Sequence, residues 1–382
     1  MNNIMGTLRK IFNICICTSI IYACSGGQKQ TTVEKENNKD LERMENISIN
    51  VTEDCIQVYD NSWCRATTAQ IDGVDYMVAY SEPLHCIDLI ALNDYSDFQQ
   101  IKLEKEGPNG VTGITGIFYY DNNFILQTGI GFYRINKEGE VVSKWSLNEY
   151  LGKNKGFGLR FPEQTMVFNF FKTLGFDVQE GLVTQTIYQY EKVDGQYPIR
   201  ILVLSCKDWE IVEEIDLIYP EKLKKEKWLG CLGEVQALPH SEKVIYNFPA
   251  SSDIFVYDRK TKTTLVHSIP SQYTESYIRC EDEQDQGLGS GYYLPIRYDY
   301  RHNSFWRAQQ RKTERGGIAG KSFSITQLDS DFKLVGEYDM PKKKNISPFS
   351  ILFTNDKVLF PYMGGDYIGE NNIAFYGLKL NE

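Results

Sequence analysis

The sequence lacks an excess of positive charge and has few histidines. Its 382 residues carry 41 Lys and Arg against 51 Asp and Glu, a formal net charge of −10 at pH 7. Because a nucleic-acid partner requires a concentrated basic surface, this balance argues against nucleic-acid binding. The four histidines are scattered along the chain, at positions 85, 240, 267 and 302. Since no C-x-x-C motif accompanies them, the sequence predicts no metal site and no cofactor.

The sequence also lacks long segments with the 3.6-residue hydrophobic period of a helix, which argues against alternating strands and helices around a parallel sheet. No G-x-S-x-G or H-E-x-x-H motif occurs, so no catalytic site is indicated by motif. Residues 316–322, G-G-I-A-G-K-S, end like a phosphate-binding loop. However, Arg315 stands where that motif requires glycine, and the segment leads into a strand. We therefore predict a plain loop there, without a nucleotide.

The first 24 residues are typical of a bacterial lipoprotein signal. Arg9 and Lys10 precede an apolar run over residues 11–22. This run is too short to cross a bilayer as a helix, which needs about 20 residues. It ends in Ala23-Cys24-Ser25, which resembles the lipobox in which the cysteine is acylated and becomes the mature N-terminus. We predict a signal peptide over residues 1–23 and a membrane anchor at Cys24. A plain signal peptide with a coincidental cysteine is the alternative.

Residues 24–45 are predicted to form a flexible tether. They are rich in Gly, Gln, Thr, Lys, Glu and Asn and have no apolar period. No acidic residue directly follows Cys24, which favours a location on the outer membrane facing the periplasm. Removal of the signal takes away two basic residues and no acidic one, so the formal charge changes from −10 to −12.

Six cysteines lie beyond Cys24, and an oxidising compartment permits disulfides among them. They are Cys55, Cys64, Cys86, Cys206, Cys231 and Cys280. A domain of this size does not depend on disulfides for stability, and most of these residues lie in strand-like runs. Buried thiols are therefore the favoured interpretation.

After the tether, the chain consists of short runs rich in Val, Ile, Tyr, Phe and Thr, separated by turn residues. Such runs predict β-strands, and they fall into six sets. The predicted strands cover residues 66–71, 75–81, 86–90 and 98–103; 114–120, 123–128, 131–136 and 140–146; 165–171, 183–190, 199–205 and 210–218; 232–238, 243–248, 253–258 and 263–269; 292–298, 304–310, 322–329 and 332–340; and 350–354, 357–362 and 373–380. Only two brief helices are predicted, over residues 146–151 and 220–227.

The last set lacks a fourth strand, whereas residues 47–59 belong to no set. This segment is suited to complete the last sheet and so to close a ring. Repeated four-stranded sheets around an axis form a β-propeller, in which each sheet buries its faces against its neighbours. We predict an all-β fold, a β-propeller over residues 46–382 with six blades closed by an N-terminal strand. A pair of β-sandwiches with irregular loops is the alternative.

Three segments carry a family resemblance. They read L-E-K-E-G-P-N-G over residues 103–110, P-I-R-Y-D over 295–299 (followed by Arg301 and F-W-R over 305–307), and V-G-E-Y-D-M-P over 335–341. Together with the signal and the strand spacing, they make the chain similar to uncharacterised Bacteroidetes lipoproteins of comparable length. The resemblance implies a six-bladed β-propeller. It implies no chemistry, because that family has no assigned activity.

β-Propellers usually bind ligands at one end of the central channel. The loops between blades, and those between the second and third strands of each blade, form that end. Polar and aromatic residues in or beside these predicted loops are candidate ligand contacts: His85, Glu106, Asn109, Arg160, Asn247, Arg279, Arg297 and Trp306. The alternative for each is a hydrogen bond that fixes a loop or, for Trp306, packing in the core.

The anchor, the repeat and the lack of a catalytic motif predict a binding module of the cell envelope, with a protein or a glycan as its ligand. The alternative is a glycan-processing enzyme with carboxylates at the mouth of the channel. Such an enzyme requires two carboxyl groups about 5–10 Å apart that face an open pocket. A structural scaffold without a small ligand is the third interpretation.

Overall fold

The described residues form a ring of six antiparallel sheets. The computed structural model describes residues 44–50, 66–82, 84–93, 97–159, 175–193, 197–217, 219–224, 234–278, 291–312, 322–340, 346–362 and 372–380. In this part of the chain the six sheets follow one another in sequence, and each pairs its strands in order from the inside to the outside. Each sheet is one blade of a six-bladed β-propeller, which confirms the predicted fold class.

The strands of blades 1 and 2, and the last three strands of blade 3, follow the predicted sets closely. After β1 (Met44–Asn50), blade 1 contains β2 (Thr67–Ile71), β3 (Val74–Ser81), β4 (Cys86–Ala91) and β5 (Phe98–Lys102). Blade 2 contains β6 (Ile114–Tyr120), β7 (Asn123–Thr128), β8 (Gly131–Ile135) and β9 (Val141–Ser146). Blade 3 contains β10 (Phe157–Gly158), β11 (Phe176–Asp177), β12 (Leu182–Gln189), β13 (Ile199–Ser205) and β14 (Ile211–Leu217).

The second half of the ring has the same order. Blade 4 contains β15 (Gln236–His240), β16 (Lys243–Asn247), β17 (Asp253–Asp258) and β18 (Thr263–Ser268). Blade 5 contains β19 (Tyr292–Tyr293), β20 (Arg297–Asp299), β21 (Ser304–Gln310), β22 (Phe323–Leu328) and β23 (Leu334–Asp339). Blade 6 contains β24 (Leu352–Phe353), β25 (Lys357–Pro361) and β26 (Asn372–Lys379), and β1 is its fourth strand.

The middle strands of the blades are buried along their length, whereas an outer strand is exposed. Every residue of β4 and of β21 is buried, whereas β18, at the outer edge of blade 4, is exposed at five of its six positions. A middle strand has a neighbouring blade against each face, so its polar side chains are buried too and are hydrogen-bonded, as Arg307 and Gln309 are on β21. The outer strand faces solvent and therefore tolerates polar residues.

An N-terminal strand closes the ring, as the sequence predicts. β1 pairs antiparallel with β26 over seven positions, from Met44 opposite Leu378 to Asn50 opposite Asn372. The closing strand lies at residues 44–50, so it begins three residues before the predicted segment 47–59. Residues 51–59 of that segment lie outside the described residues.

The innermost strand of blade 3 departs from the regular pattern. β11 pairs with one end of β12, at Leu182 and Val183, and β10 pairs with the other end, at Tyr188 and Gln189. Residues 184–187, between these two contacts, pair with neither strand. The first strand predicted for this set, 165–171, lies outside the described residues.

Two helices connect blades near their predicted positions. They are α1 (Leu147–Lys153) and α2 (Glu221–Lys224). The Ser146 hydroxyl caps α1 by accepting a hydrogen bond from the Glu149 amide, 3.3 Å away. Within the described ranges, no helix has the length and apolar composition needed to span a membrane.

The two described cysteines are buried thiols, as the sequence favours. Cys86 and Cys206 are 1% and 0% exposed. Burial raises the pKa of Cys206 far above its ordinary value, so the thiolate is disfavoured. The other four cysteines beyond Cys24 lie outside the described residues.

Candidate functional site

A cavity of about 430 Å³ lies in the central channel. We call it the mouth cavity. It lies at the end of the channel where the innermost strand of each blade turns into the second strand, and all six blades contribute to it. One wall residue from each blade, in order, is Gln70, Tyr120, Val178, Leu238, Tyr298 and Phe353. Its volume falls within the roughly 300–1,000 Å³ of small-molecule sites.

The mouth cavity is apolar at its floor and polar at its rim. Ala66, Leu238 and Ile351 line the cavity and are buried. At the turns, the lining residues are exposed and polar: Gln70, Asp121, Gln179 and Asn355. The cavity can therefore cover an apolar face of a ligand and hydrogen-bond its edge.

Aromatic side chains form much of the wall. They are Tyr119, Tyr120, Phe176, Tyr298, Tyr300 and Phe353. Tyr298 and Tyr300 meet edge to face, with ring centroids 4.7 Å apart, and Phe176 stacks on Phe118 at 4.4 Å. These contacts hold the rings in fixed orientations around the cavity.

An ion pair and a buried carboxylate fix the turn of blade 5 at the mouth. The guanidinium of Arg301 pairs with the buried Asp75, which lies on β3 of blade 1. Asp299, which is fully buried, accepts a hydrogen bond from the Arg301 amide at 3.0 Å, and Nδ1 of His302 lies 2.6 Å from this carboxylate. Nε2 of His302 lies 2.9 Å from the carbonyl oxygen of Asn355 in blade 6. The turn is thus bound to blades 1 and 6.

A second buried carboxylate holds the turns of blades 3, 4 and 5 together. Asp177 accepts hydrogen bonds from the amides of Gln179, at 2.9 Å, and Ser241, at 2.8 Å. The Tyr300 hydroxyl donates to Asp177 over 3.4 Å and accepts from the Val178 amide over 3.1 Å. Burial and, secondarily, the charge of Asp177 raise the pKa of Tyr300, so this hydroxyl stays protonated.

A smaller cavity of about 100 Å³ lies where the innermost strands begin, away from the turns that form the mouth. We call it the amide pocket, because Gln127, Gln185 and Gln236 line it. It lies between blades 2, 3 and 4. Glu234, a buried carboxylate, also lines it.

Three of the predicted ligand contacts lie on or beside the connection between blades 1 and 2, outside both cavities. Nε2 of the buried His85 lies 3.1 Å from the carbonyl oxygen of Glu104, and its Nδ1 lies 2.7 Å from the Tyr80 hydroxyl. Asn109 accepts a hydrogen bond from the Val141 amide at 3.2 Å. Glu106 is exposed. The contacts of His85 and Asn109 fix this connection against its neighbours.

The other described candidates divide between the cavities and the core. Arg297 lines the mouth cavity. Asn247 is fully buried and donates to Gln236, so it lies next to the amide pocket. Trp306 is fully buried; it donates to the Ser304 hydroxyl at 2.9 Å and stacks on Tyr338. Arg160, Arg279 and Cys24 lie outside the described residues.

The sequence reasoning missed the tyrosines of the mouth and the glutamines of the amide pocket. Tyr119, Tyr120, Tyr298 and Tyr300 lie at or just after the ends of innermost strands, whereas the loops at the other end of the strands supplied most candidates. The sequence contained a signal for the tyrosines, because the predicted first strands 114–120 and 292–298 end at Tyr120 and Tyr298. Among the described residues, no group of three His, Cys, Asp or Glu side chains is placed to hold a metal ion.

Similarities to known proteins agree with this architecture. The family model described as "Domain of unknown function (DUF4221)" matches residues 45–339. A crystal structure of a member of that family from Bacteroides vulgatus ATCC 8482 is 16% identical, with a TM-score of 0.67 over 88% of this chain and 97% of that chain. A candidate exported protein from Bacteroides fragilis NCTC 9343 is 11% identical, with a TM-score of 0.51 over 90% and 98% of the two chains.

At these identities, the two solved structures show a common fold alone. No curated protein matches the chain. The family match covers most of the sequence, from the closing strand to the end of blade 5. The chain therefore belongs to the DUF4221 family.

Proposed function

We propose that this protein is a lipid-anchored binding module of the cell envelope and that its mouth cavity takes a glycan. The observation that carries the proposal is the combination of an apolar floor, aromatic walls and a polar rim in one cavity of about 430 Å³. Such a cavity suits a ligand with an apolar face and a hydroxylated edge. A sugar ring has both, because its C–H groups form one face and its hydroxyl groups surround it.

Different side chains would contact the apolar face and the hydroxyl groups of the sugar. Tyr120 and Tyr298 offer ring surface, and burial raises the pKa of both, so their hydroxyls stay protonated. The Tyr298 hydroxyl donates to Asn303, so this residue would contribute its ring. Gln70, Gln179 and Asn355 offer amide groups at the exposed rim, where hydroxyl groups of a sugar would lie. A protein partner that inserts one side chain into the cavity is the other ligand class, and the test below distinguishes the two.

The proposed location is the outer membrane, with the propeller facing the periplasm. It is supported by the signal pattern of residues 1–23, by the lipobox-like cysteine at position 24 and by the tether that follows. The structural similarity to a candidate exported protein of Bacteroides fragilis is consistent with export. Mass spectrometry of the mature N-terminus tests the anchor: an unmodified Cys24, or cleavage elsewhere, contradicts it.

The mouth cavity gives less support to a glycan-processing enzyme. Among its described lining residues, Asp121 is the one carboxylate. The carboxylate of Asp121 forms an ion pair, at 2.8 Å, with Arg134, which does not line the cavity. The two-carboxylate arrangement would need a partner that these lining residues do not supply. The enzyme hypothesis therefore ranks second.

A thermal-shift screen of the purified protein against glycans and peptides tests the proposal. A ligand that binds only the folded state must raise the melting temperature. We expect a glycan to do so, and Tyr120→Ala to reduce the shift. Tyr190→Ala is the matched control, because Tyr190 is 51% exposed and lies outside both cavities. Equal shifts in both variants would place the ligand elsewhere, and a response to peptides alone would favour a protein partner.

A further inference from the structure

Two glutamines of the amide pocket each have one buried polar atom without a hydrogen-bond partner. These atoms are Oε1 of Gln127, an acceptor, and Nε2 of Gln236, a donor. The two residues are 9% and 3% exposed, and both line the pocket. A buried polar atom without a partner is costly, so two of them in one cavity offer a donor and an acceptor to a bound molecule.

The pocket lies beside the irregular inner strand of blade 3. Gln127 lies on β7 of blade 2 and Gln236 lies on β15 of blade 4, on either side of blade 3. Between them, residues 184–187 of β12 pair with neither β10 nor β11. Three of these residues, Thr184, Gln185 and Thr186, line the pocket.

The orientation of the Gln127 amide follows from a backbone carbonyl. Nε2 of Gln185 donates to the carbonyl oxygen of Thr186 at 3.0 Å, and a carbonyl can only accept. Oε1 of Gln185 is therefore the atom that faces Gln127, and it accepts from Nε2 of Gln127 at 3.3 Å. This arrangement leaves Oε1 of Gln127 as an acceptor for the pocket.

A second backbone carbonyl fixes the Gln236 amide in the same way. Nδ2 of Asn247 donates to the carbonyl oxygen of Leu294 at 3.3 Å, and it also donates to Oε1 of Gln236 at 3.2 Å. Reversal of either amide would set two acceptors or two donors against each other. Nε2 of Gln236 is therefore fixed as a donor for the pocket.

We propose that the amide pocket is a second binding site, separate from the mouth cavity, for one small uncharged molecule that carries both a donor and an acceptor, such as a primary amide. Its volume of about 100 Å³ admits a molecule of that size. The donor on Gln236 disfavours a cation, and the acceptor on Gln127 disfavours an anion. The site does not depend on the function proposed for the mouth.

Acetamide is the probe, and acetate, which has the same shape and a negative charge, is its matched control. The purified full-length lipoprotein in detergent is titrated with each, and saturation-transfer NMR of the methyl protons gives the dissociation constants. We expect acetamide to bind about tenfold more tightly than acetate, because acetate lacks the donor and carries a charge. Equal affinities would overturn the proposal.

Variants test the two glutamines separately. Gln127→Leu and Gln236→Leu should each weaken acetamide binding roughly fivefold, which corresponds to the loss of one hydrogen bond. Gln310→Leu is the control, because Gln310 is 3% exposed and also has an unpartnered Oε1, but lies outside the pocket. If Gln127→Leu does not fold, Gln127→Met, which has an unbranched side chain, is used in its place.

Two results with the variants contradict the proposal. One is unchanged acetamide affinity in both the Gln127 and the Gln236 variants, and the other is an equal loss in Gln310→Leu. Crystals soaked in acetamide should show it between Gln127 and Gln236, and ordered water alone at that position would also overturn the proposal. The two proposals fail separately: if the amide-pocket proposal is wrong, a glycan should still raise the melting temperature of Gln127→Leu.

Discussion

The two cavities of the channel contain buried polar groups of different kinds. Around the mouth cavity the buried groups are carboxylates, and Asp75, Asp177 and Asp299 each have hydrogen-bond or ion-pair partners. In the amide pocket most are neutral, and two amide atoms, on Gln127 and Gln236, have no partner. The mouth is thus completed by its own side chains, whereas the amide pocket retains hydrogen-bonding capacity.

Energetics account for this difference. A buried charge without a partner costs far more than a buried amide atom without one, so a stable fold must satisfy its carboxylates internally. At the mouth the carboxylates therefore stabilise the turns, and binding capacity is left to ring surfaces and exposed rim amides. In the amide pocket, the lower cost of a neutral group permits unpaired atoms that a ligand can complete. Four experiments test this contrast.

The largest effect is expected from the ion pair at the mouth. Arg301→Met leaves Asp75, whose side chain is 3% exposed, without a cation, and should lower the free energy of unfolding by about 3–5 kcal/mol. Arg134→Met is the control, because its partner Asp121 is 62% exposed; we expect a loss of about 0–1 kcal/mol. Urea denaturation measures both. Equal losses would mean that the mouth does not depend on buried charge.

A smaller effect is expected from the amide that orients Gln236. Asn247→Leu leaves the Leu294 carbonyl and the Gln236 Oε1 without their donor and should cost about 1–3 kcal/mol of unfolding free energy. Gln236→Leu removes the unpartnered Nε2 together with Oε1, and Nδ2 of Asn247 keeps the Leu294 carbonyl as an acceptor, so its cost should be smaller. A larger loss for Gln236→Leu than for Asn247→Leu in urea denaturation would contradict the anchoring role of Asn247.

The hydroxyl of Tyr300 should contribute about 1 kcal/mol to the free energy of unfolding. Tyr300→Phe leaves the Val178 amide without its acceptor, close to the buried Asp177. Tyr298→Phe is the matched control, because its hydroxyl bonds to Asn303 in an exposed turn; we expect a change within about 0.5 kcal/mol. Thermal or urea denaturation of the two variants decides, and similar values would show that the Tyr300 hydroxyl is not a structural group.

The smallest expected effect is a pH dependence from His240, whose ring packs 4.0 Å from Tyr298. Burial lowers the pKa of His240 below its ordinary value of 6.5, so the unfolded state binds more protons than the folded state between these two values. Stability from this group is therefore present above about pH 6.5 and is lost as the pH falls below it. Urea denaturation at pH 7.5 and 5.5 should show a smaller pH effect in His240→Gln. An unchanged pH effect would contradict this assignment.

Most of the fold was predictable because turn chemistry is local. Asp72-Gly73 lies in the turn after the first strand of blade 1, with φ of +51° and +82°, and Asp121 and Asn122 form the same turn in blade 2. Such residues mark the ends of strands directly, so predicted segments such as 114–120 and 123–128 coincide with β6 and β7. The inner strand of blade 3 was harder to predict from the sequence, because two-residue strands such as β10 and β11 are too short to show a periodic pattern.

The site was less predictable than the fold, because six short segments far apart in sequence form it. Arg297 was identified and does line the mouth cavity. His85 and Asn109 have the residue types that bind ligands, but the same types also fix loops, and sequence alone cannot separate these roles. Pairing across the ring decides between them: Asp75 and Arg301 are 226 positions apart.

The closing strand also has a mechanical consequence. The N-terminus joins the ring through β1, and the seven paired positions between β1 and β26 are the seam that holds the ring shut. If the protein is tethered by its N-terminus, a pull on its bound ligand would be transmitted through this seam. The hydrogen bonds between β1 and β26 would then bear this force before those of the other strands.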